Sequence, residues 1–411
     1  MKPTVLVATT SRWVPTARLA VALAHAGFTV KAVCPSSHQL SKTSAVEAIY
    51  PYNGVAPLSS FADAITRANP DLVAPGDDLA TLHLHHLYAR EKLRGAAGAR
   101  ICAVIERSLG DSESFSVVYA RTRFMQVAGE EGIRCPATEV ITNECDLESF
   151  ADRVGTPIVL KADVTSGGEG VRVVRTLEDA KREFRALNAP PVLARAAKRV
   201  IIDRDKRLVW SALLRRRPVV NAQAFIAGME ATSLVACCQG TVLASLHFEV
   251  LHKTDPAGPA TVLRLIDNPE MVAAAEKTVR RLRLSGLHGF DFMLEANTGN
   301  AYLIEINPRT TQVGHLTLGP GRDLPAALYS AVTHEALQSA RKVTDLDTIA
   351  LFPQEWLRDP ESPYLTSAYH DVPWQESELV RACIQTRRKK KAWYLQWSWT
   401  DAFSAARVPR Q

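Results

Sequence analysis

The chain has 411 residues, 46% hydrophobic and 22% charged, close to the globular average, which excludes disordered and fibrous classes. At about 150 residues per domain this length holds two or three domains, and no stretch reaches the roughly 18 consecutive apolar residues of a spanning helix. Lys and Arg exceed Asp and Glu by 49 to 43, a net charge of +6 concentrated in the run Arg387-Arg388-Lys389-Lys390-Lys391, and so mild an excess suits a phosphate or carboxylate site as well as it suits nucleic acid.

The N-terminal part alternates between strand and helix. Residues 4–9 form a β-branched, apolar strand, and residues 14–26 an Ala- and Leu-rich helix ended by Gly27, where a left-handed cap costs least. Residues 28–34 are a strand stopped by Pro35, residues 61–68 a helix, and residues 71–74 a strand closed by Pro75-Gly76-Asp77. This spacing predicts a parallel sheet with right-handed crossovers, a small Rossmann-like domain over residues 1–112. The first strand runs into Thr9-Thr10-Ser11-Arg12 rather than GxGxxG, which argues against dinucleotide binding. A helix over 119–131, strands at 133–140 and 157–161, and a charged amphipathic helix over 177–187 follow. Further strands are predicted at 199–202, 208–214, 219–225, 231–238 and 241–248, then a helix over 269–282 and a hairpin of 289–294 with 301–306. Helical material is expected from there to the C-terminus. Seven cysteines without a CxxC pair predict reduced thiols and a cytoplasmic protein.

The hairpin carries the clearest chemistry. Side chains of a strand alternate faces, so Glu305 and Asn307 point the same way. If the turn centres on Thr298, Asp291 lies opposite Glu305 on that face. Facing carboxylates repel unless a cation sits between them, and oxygen-only ligands favour Mg²⁺ or Mn²⁺. The alternative is a solvated face of an edge hairpin. A second feature is the apolar strand ending in Lys161, followed by Ser166-Gly167-Gly168-Glu169-Gly170, whose glycines can turn successive backbone N–H groups toward an anion. It is not a Walker P-loop, because another strand follows it. The third is Asn221-Ala222-Gln223-Ala224-Phe225, an apolar strand carrying Gln223, with Gly228 and Glu230 just beyond.

In order and spacing these features resemble the ATP-grasp superfamily over roughly residues 115 to 335, the best single motif being Leu303-Ile304-Glu305-Ile306-Asn307-Pro308-Arg309. The resemblance implies a mixed α/β and α+β architecture: a Rossmann-like domain, a two-lobed ATP-grasp domain over 113–335 (small lid lobe 113–192, large lobe 193–335) and a mainly helical segment over 336–411. It implies that Lys161 and Ser166, Gly167, Gly168 and Gly170 cover the ATP phosphates. Arg121 falls where many members carry a phosphate-contacting Lys, and Gln223 takes the adenine amino group where relatives often use Glu. Backbone groups of Ala224 and Phe225 would read the adenine edge, and Glu230 the ribose. Asp291, Glu305 and Asn307 would hold Mg²⁺ or Mn²⁺. Arg309 would face the transferred phosphoryl group or the activated carboxylate, and Lys253 and Arg264 would contact the second substrate.

The chemistry so implied is activation of a small-molecule carboxylate by ATP as an acyl phosphate, then attack by an amine with release of ADP and phosphate. A bicarbonate-using carboxylase or carbamoylating enzyme, and a nucleotide-binding regulatory protein without turnover, are the alternatives. D-alanine ligases place an Arg two residues before the first metal carboxylate, where this chain has Gly289, and no biotin-attachment Met-Lys-Met occurs. No nucleic-acid partner is expected, and a homodimer is the default assembly. In the tail, basic residues beside Trp393, Tyr394, Trp397 and Trp399 suit an anionic membrane surface, or a terminal helix whose rings pack on the body.

Overall fold

The computed structural model describes residues 2–163, 170–189, 218–256, 258–336 and 342–385. The expected strands at 199–202 and 208–214, the loop residues Ser166, Gly167 and Gly168, and the basic aromatic tail lie outside the described residues.

Three sheets organise the described residues. The first contains β1 (Thr4–Ala8), β2 (Thr29–Cys34), β3 (Val46–Pro51) and β4 (Leu72–Pro75), all parallel, in the order β3-β2-β1-β4. β1 is apolar without alternation because both its faces are covered. Val5 and Val7 pack toward α1 (Val14–His25), whereas Leu6 and Ala8 meet α2 (Pro57–Ala68), α3 (Asp78–Lys92) and α4 (Ala99–Leu109). Gly27, just past α1, has φ +116°, and a Cβ there would stand 2.7 Å from the Tyr329 ring, so both the turn and the packing require glycine. β1 lies between β2 and β4, so the crevice beyond the ends of β1 and β4 is the topological switch point of this sheet.

After α5 (Arg121–Glu130) comes a small sheet of β5 (Thr138–Ile141), β6 (Ile158–Ala162), β7 (Val171–Val174) and β8 (Val220–Ala224), antiparallel in the order β5-β8-β6-β7. Ile158, Leu160, Val220 and Ala222 bury one face against α6 (Glu144–Val154) and α7 (Leu177–Asn188). The intervening residues Val159, Lys161, Asn221 and Gln223 therefore point to the other face.

The large sheet has β9 (Gly228–Cys238), β10 (Thr241–Lys253), β11 (Ala260–Leu265), β12 (Gly286–Glu295), β13 (Ala301–Asn307), β14 (Thr348–Leu351) and β15 (Tyr369–Asp371), in the order β13-β12-β9-β10-β11-β14-β15. α8 (Pro269–Leu282) and α5 cover one face around Val235, Phe290, Phe292 and Leu303. On the other face Leu234, Leu246 and Phe248 share one continuous core with α1 and α9 (Leu324–Thr333).

The segment after residue 336 adds two short strands to the expected helical material, which includes a helix over 377–385. Its described part contributes β14 and β15 to the large sheet, with α10 (Gln354–Arg358) and α11 (Tyr364–Ser367) as short turns between them. Without β14 the Val262–Arg264 stretch of β11 would leave its backbone unpaired, and the run Thr348–Leu351 is apolar, β-branched and too short for a buried helix. β15 also ties the ends of the chain together. Asp371 is buried and receives Arg18 of α1 at 2.6 Å and His315 at 2.6 Å.

Candidate active site

Asp291 and Glu305 face each other across β12 and β13, but not by the simple hairpin register. At the tip Leu294 pairs with Ala301 and Met293 with Tyr302, one residue out of step with a turn centred on Thr298. Ile304 is then inserted as a bulge between the Phe292–Leu303 and Asp291–Glu305 pairs. Strict alternation would put Glu305 on the side of Leu303, which is buried among Phe290 and Phe292. The bulge turns Glu305 away from that core to meet Asp291, and Ile306 returns to it.

The environment of this pair is crowded with polar groups. Thr232 Oγ1 donates to Asp291 at 2.9 Å, and Asn307 Nδ2 donates to its other oxygen at 2.8 Å. Burial, reinforced by the Glu305 charge, pushes the Asp291 carboxyl up to about 6. Burial also works against the Glu305 charge, but Arg121 and Lys161 outweigh it and hold that carboxyl below its ordinary range. No group of three or more His, Cys, Asp or Glu side chains among the described residues is arranged to hold a metal ion by itself. Two mutually repelling carboxylates and an amide are the oxygen donors available here. They fit a divalent cation whose remaining ligands come from water and phosphate.

The open face of the small sheet supplies the cations. Lys161 is 4% exposed, and its Nζ lies 3.5 Å from the bulge carbonyl of Ile304. Burial chiefly brings its amine down to about 8, against the pull of Glu305. Arg121, at the start of α5, donates to Glu305 at 2.7 Å and to Asp163 at 3.2 Å, and its buried Nε has no partner. Asn221 links the same group: it accepts from Thr122 at 2.6 Å and donates to Asp163 at 2.9 Å. Gln223 is buried with its amide nitrogen donating to Thr138 at 2.9 Å, which directs its oxygen as the acceptor. Gly170 opens the strand β7, and its carbonyl accepts from Ala162 at 2.9 Å.

Several expected contacts are arranged differently. The Ala224 N–H is spent on the Ala137 carbonyl at 2.8 Å, so it cannot read a base edge; Phe225 is partly exposed beside it. Glu230 and Lys253 were expected to hold different ligands, yet they bind each other at 2.7 and 2.8 Å. Arg264 is on the wrong side. It pairs with Glu249, which stands opposite Ala231, which stands opposite Phe292, all on the face away from Asp291 and Thr232. The side-chain parity across four strands removes Arg264 from the site.

Arg309 is heavily engaged. Its Nε donates to Asp78 at 2.9 Å, Nη2 to Asn307 at 3.2 Å and Nη1 to the Thr310 carbonyl at 3.0 Å, with the guanidinium 5.6 Å from the Trp13 ring. Thr232, Asp163, Asn221 and Asp78 also join this cluster, and the sequence reading gave none of them a role. Only the Gly76-Asp77-Asp78 turn after β4 offered a local signal, as the end of a strand at a switch point.

The profile of the family described as carbamoyl-phosphate synthase L chain, ATP binding domain, matches residues 120–318, the span that holds all of these carboxylates and cations except Asp78. Over this span the chain resembles the ATP-grasp superfamily. Over 269 residues it is 27% identical to a D-alanine–D-alanine ligase of Bordetella petrii, covering 62% of this chain and 73% of that protein. Over 214 residues it is 25% identical to a phosphoribosylamine–glycine ligase of Ralstonia nicotianae, covering 48% of this chain and 43% of the relative. Among solved structures, N5-carboxyaminoimidazole synthetase from Staphylococcus aureus, complexed with ADP, superposes with a TM-score of 0.57 at 13% identity, over 82% of this chain and 79% of that one. The biotin carboxylase domain of Hydrogenobacter thermophilus 2-oxoglutarate carboxylase gives 0.56 at 15% identity, over 83% and 72%. Such structural likeness shows the fold alone, a mixed α/β architecture shared with these enzymes. No helix among the described residues is long and apolar enough to cross a membrane.

Proposed function

We propose that the protein is an ATP-dependent ligase that activates a substrate carboxylate as an acyl phosphate and joins it to an amine, releasing ADP and phosphate. The observation that carries this reading is the Asp291–Glu305 pair facing across β12 and β13, with Lys161, Arg121 and Arg309 around it. Asp291, Glu305 and Asn307 would hold Mg²⁺, or Mn²⁺ in its place, which when bound neutralises charge on the phosphates. Lys161, with the residues from Ser166 to Gly170, contacts the nucleotide phosphates. Gln223 accepts from the adenine amino group, Phe225 lies beside the ring, and Glu230 reaches the ribose once Lys253 yields it. Arg121 moves from Glu305 toward the phosphates when the cation takes its place on that carboxylate. The relatives named as ligases join carboxylates to amines, which supports the same reaction here.

In this reading residues 1–112 form a Rossmann-like domain ahead of the ATP-grasp domain of 113–335, and β14 and β15 of the segment that follows complete the large sheet. Seven unpaired cysteines suit a reducing cytoplasm, and likeness to a biotin carboxylase domain dimer supports a homodimer.

The test is release of ADP from Mg²⁺-ATP with pooled carboxylic acids, with and without pooled amines. Release that requires both pools establishes the ligase. Release driven by bicarbonate alone would replace it with the carboxylating reading, which the biotin carboxylase likeness favours. No Mg²⁺-dependent nucleotide binding would refute both.

A pH dependence follows from Lys161. Its amine is lowered to about 8, so the free protein loses this cation as pH rises through that value. Nucleotide affinity is expected to fall between about pH 7 and pH 9, because the phosphates lose a charge-assisted partner. Lys161→Arg, which stays charged, should flatten the profile. Calorimetric titration across this range checks it, and an affinity independent of pH in the native protein would place the phosphates elsewhere.

A further inference from the structure

The end of the strand that bears Glu305 and Asn307 is fastened to the first sheet. Thr310 N–H donates to the Pro75 carbonyl at 3.3 Å, Thr81 Oγ1 donates to the Pro308 carbonyl at 2.8 Å, and Arg309 reaches Asp78. The Asp78 side of this contact is firmly held. Tyr119 OH donates to the Asp78 carbonyl at 2.8 Å. The neighbouring Asp77 carboxylate accepts from Thr9, Thr10, Ser11 and the Ala80 N–H, which locks the turn between β4 and α3.

Arg309 is two residues beyond Asn307 and already donates to it, so its guanidinium is a resident positive charge at that end of the acidic pair. A guanidinium and a divalent cation compete for the same two carboxylates. Arg309 bears on Asp291 and Glu305 by charge, yet its Nε is directed away from them to Asp78. We propose that Asp78 is a positioning residue of the cation site: it holds the Arg309 guanidinium off Asp291 and Glu305, and so leaves those carboxylates to the divalent cation. The inference rests on the ATP-grasp ligase reading. It assigns to the N-terminal sheet a role in the cation site.

Without Asp78 the guanidinium keeps its contacts to Asn307 and the Thr310 carbonyl but loses its carboxylate partner, and its charge turns toward Asp291. The test is calorimetric binding of ADP to the full chain over a Mg²⁺ titration, with thermal melting recorded for every variant. Asp78→Asn should raise the half-saturating Mg²⁺ about tenfold, the equivalent of one pKa unit of charge interaction. The double variant Asp78→Asn with Arg309→Met should bring it back toward the native value, because the competitor is gone. Arg309→Met alone should not raise it, and this variant keeps the idea testable even where Asp78→Asn unfolds. A merely structural role for Asp78 predicts that the double variant is no better than Asp78→Asn, and that result overturns the proposal. So does an unchanged Mg²⁺ requirement in Asp78→Asn, or a raised one in Arg309→Met. If the native protein shows no Mg²⁺-dependent ADP binding, the ligase reading itself fails and this inference goes with it.

Discussion

Glu305→Ala is expected to reduce ATP turnover by at least about a thousandfold, the loss that follows when a catalytic cation loses an anionic ligand worth several kcal/mol in the transition state. The size of the effect comes from the number of groups that converge on this one carboxylate. Glu305 repels Asp291, accepts from Arg121 at 2.7 Å and lies in the field of Lys161. Without it the Asp291 carboxyl loses a charge that raises it, and Arg121 keeps only Asp163. One carboxylate and an amide then remain to hold the cation, amid three positive side chains. Glu305→Gln separates charge from shape: it preserves the bulge and a hydrogen-bond acceptor for Arg121, yet should lose nearly as much turnover as alanine. ADP release and the half-saturating Mg²⁺ are the measurements, with melting temperature as the fold control. Turnover within tenfold of the native rate would mean that the cation is held elsewhere.

The hairpin also shows how far a sequence pattern can be trusted. Symmetry about Thr298 placed Asp291 opposite Glu305, and the structure has that pair, but through a tip register shifted by one and an inserted Ile304. Nothing in the alternation announces the bulge, because it is set by burial. Leu303 and Ile306 both gain by joining Phe290 and Phe292, and only an extra residue between them lets Glu305 face outward. Lys161 was legible as a charge ending an apolar strand. Its unusual acidity was not, since this depends on how the small sheet closes over the large one.

Arg264 was misplaced for a related reason. Period two fixes which residues of one strand share a face, but not which face meets a site several strands away. Arg264 falls on the far side by parity with Glu249, Ala231 and Phe292. Asp78 is 231 positions from Arg309, and no local pattern joins them. The C-terminal strands were missed because Thr348–Leu351 is only four residues long. What calls it into the sheet is the open edge of β11 rather than any preference of its own.

The largest loss of stability is expected at that same end of the chain. Asp371→Ala should cost about 3–5 kcal/mol, the penalty for stranding a buried charge whose partner has been removed. Arg18 donates to the Asp371 carboxylate at 2.6 Å and to its backbone carbonyl at 2.7 Å, and His315 takes the other carboxylate oxygen at 2.6 Å. The three side chains come from α1, from the loop after β13 and from β15, and each is less than a tenth exposed. Burial opposes the Asp371 charge, but His315 and Arg18 outweigh it and hold the carboxyl below its ordinary range. Its contribution is therefore present above the unfolded value near 3.9 and is lost as pH falls through the folded one. Burial, aided by the Arg18 charge, lowers the His315 imidazole, so the native state also loses stability as pH drops below about 6.5, where the unfolded chain takes up that proton first. Urea unfolding at pH 7.5 and pH 5.5 tests both statements. The native midpoint should fall at the lower pH, and Asp371→Ala should lie well below native at pH 7.5. The pair Arg18→Met with Asp371→Leu should recover much of the loss, because two apolar side chains of similar volume replace the charges without leaving either alone. An Asp371→Ala midpoint equal to native would mean that Arg18 finds water there, and that the staple between the ends of the chain carries no energy.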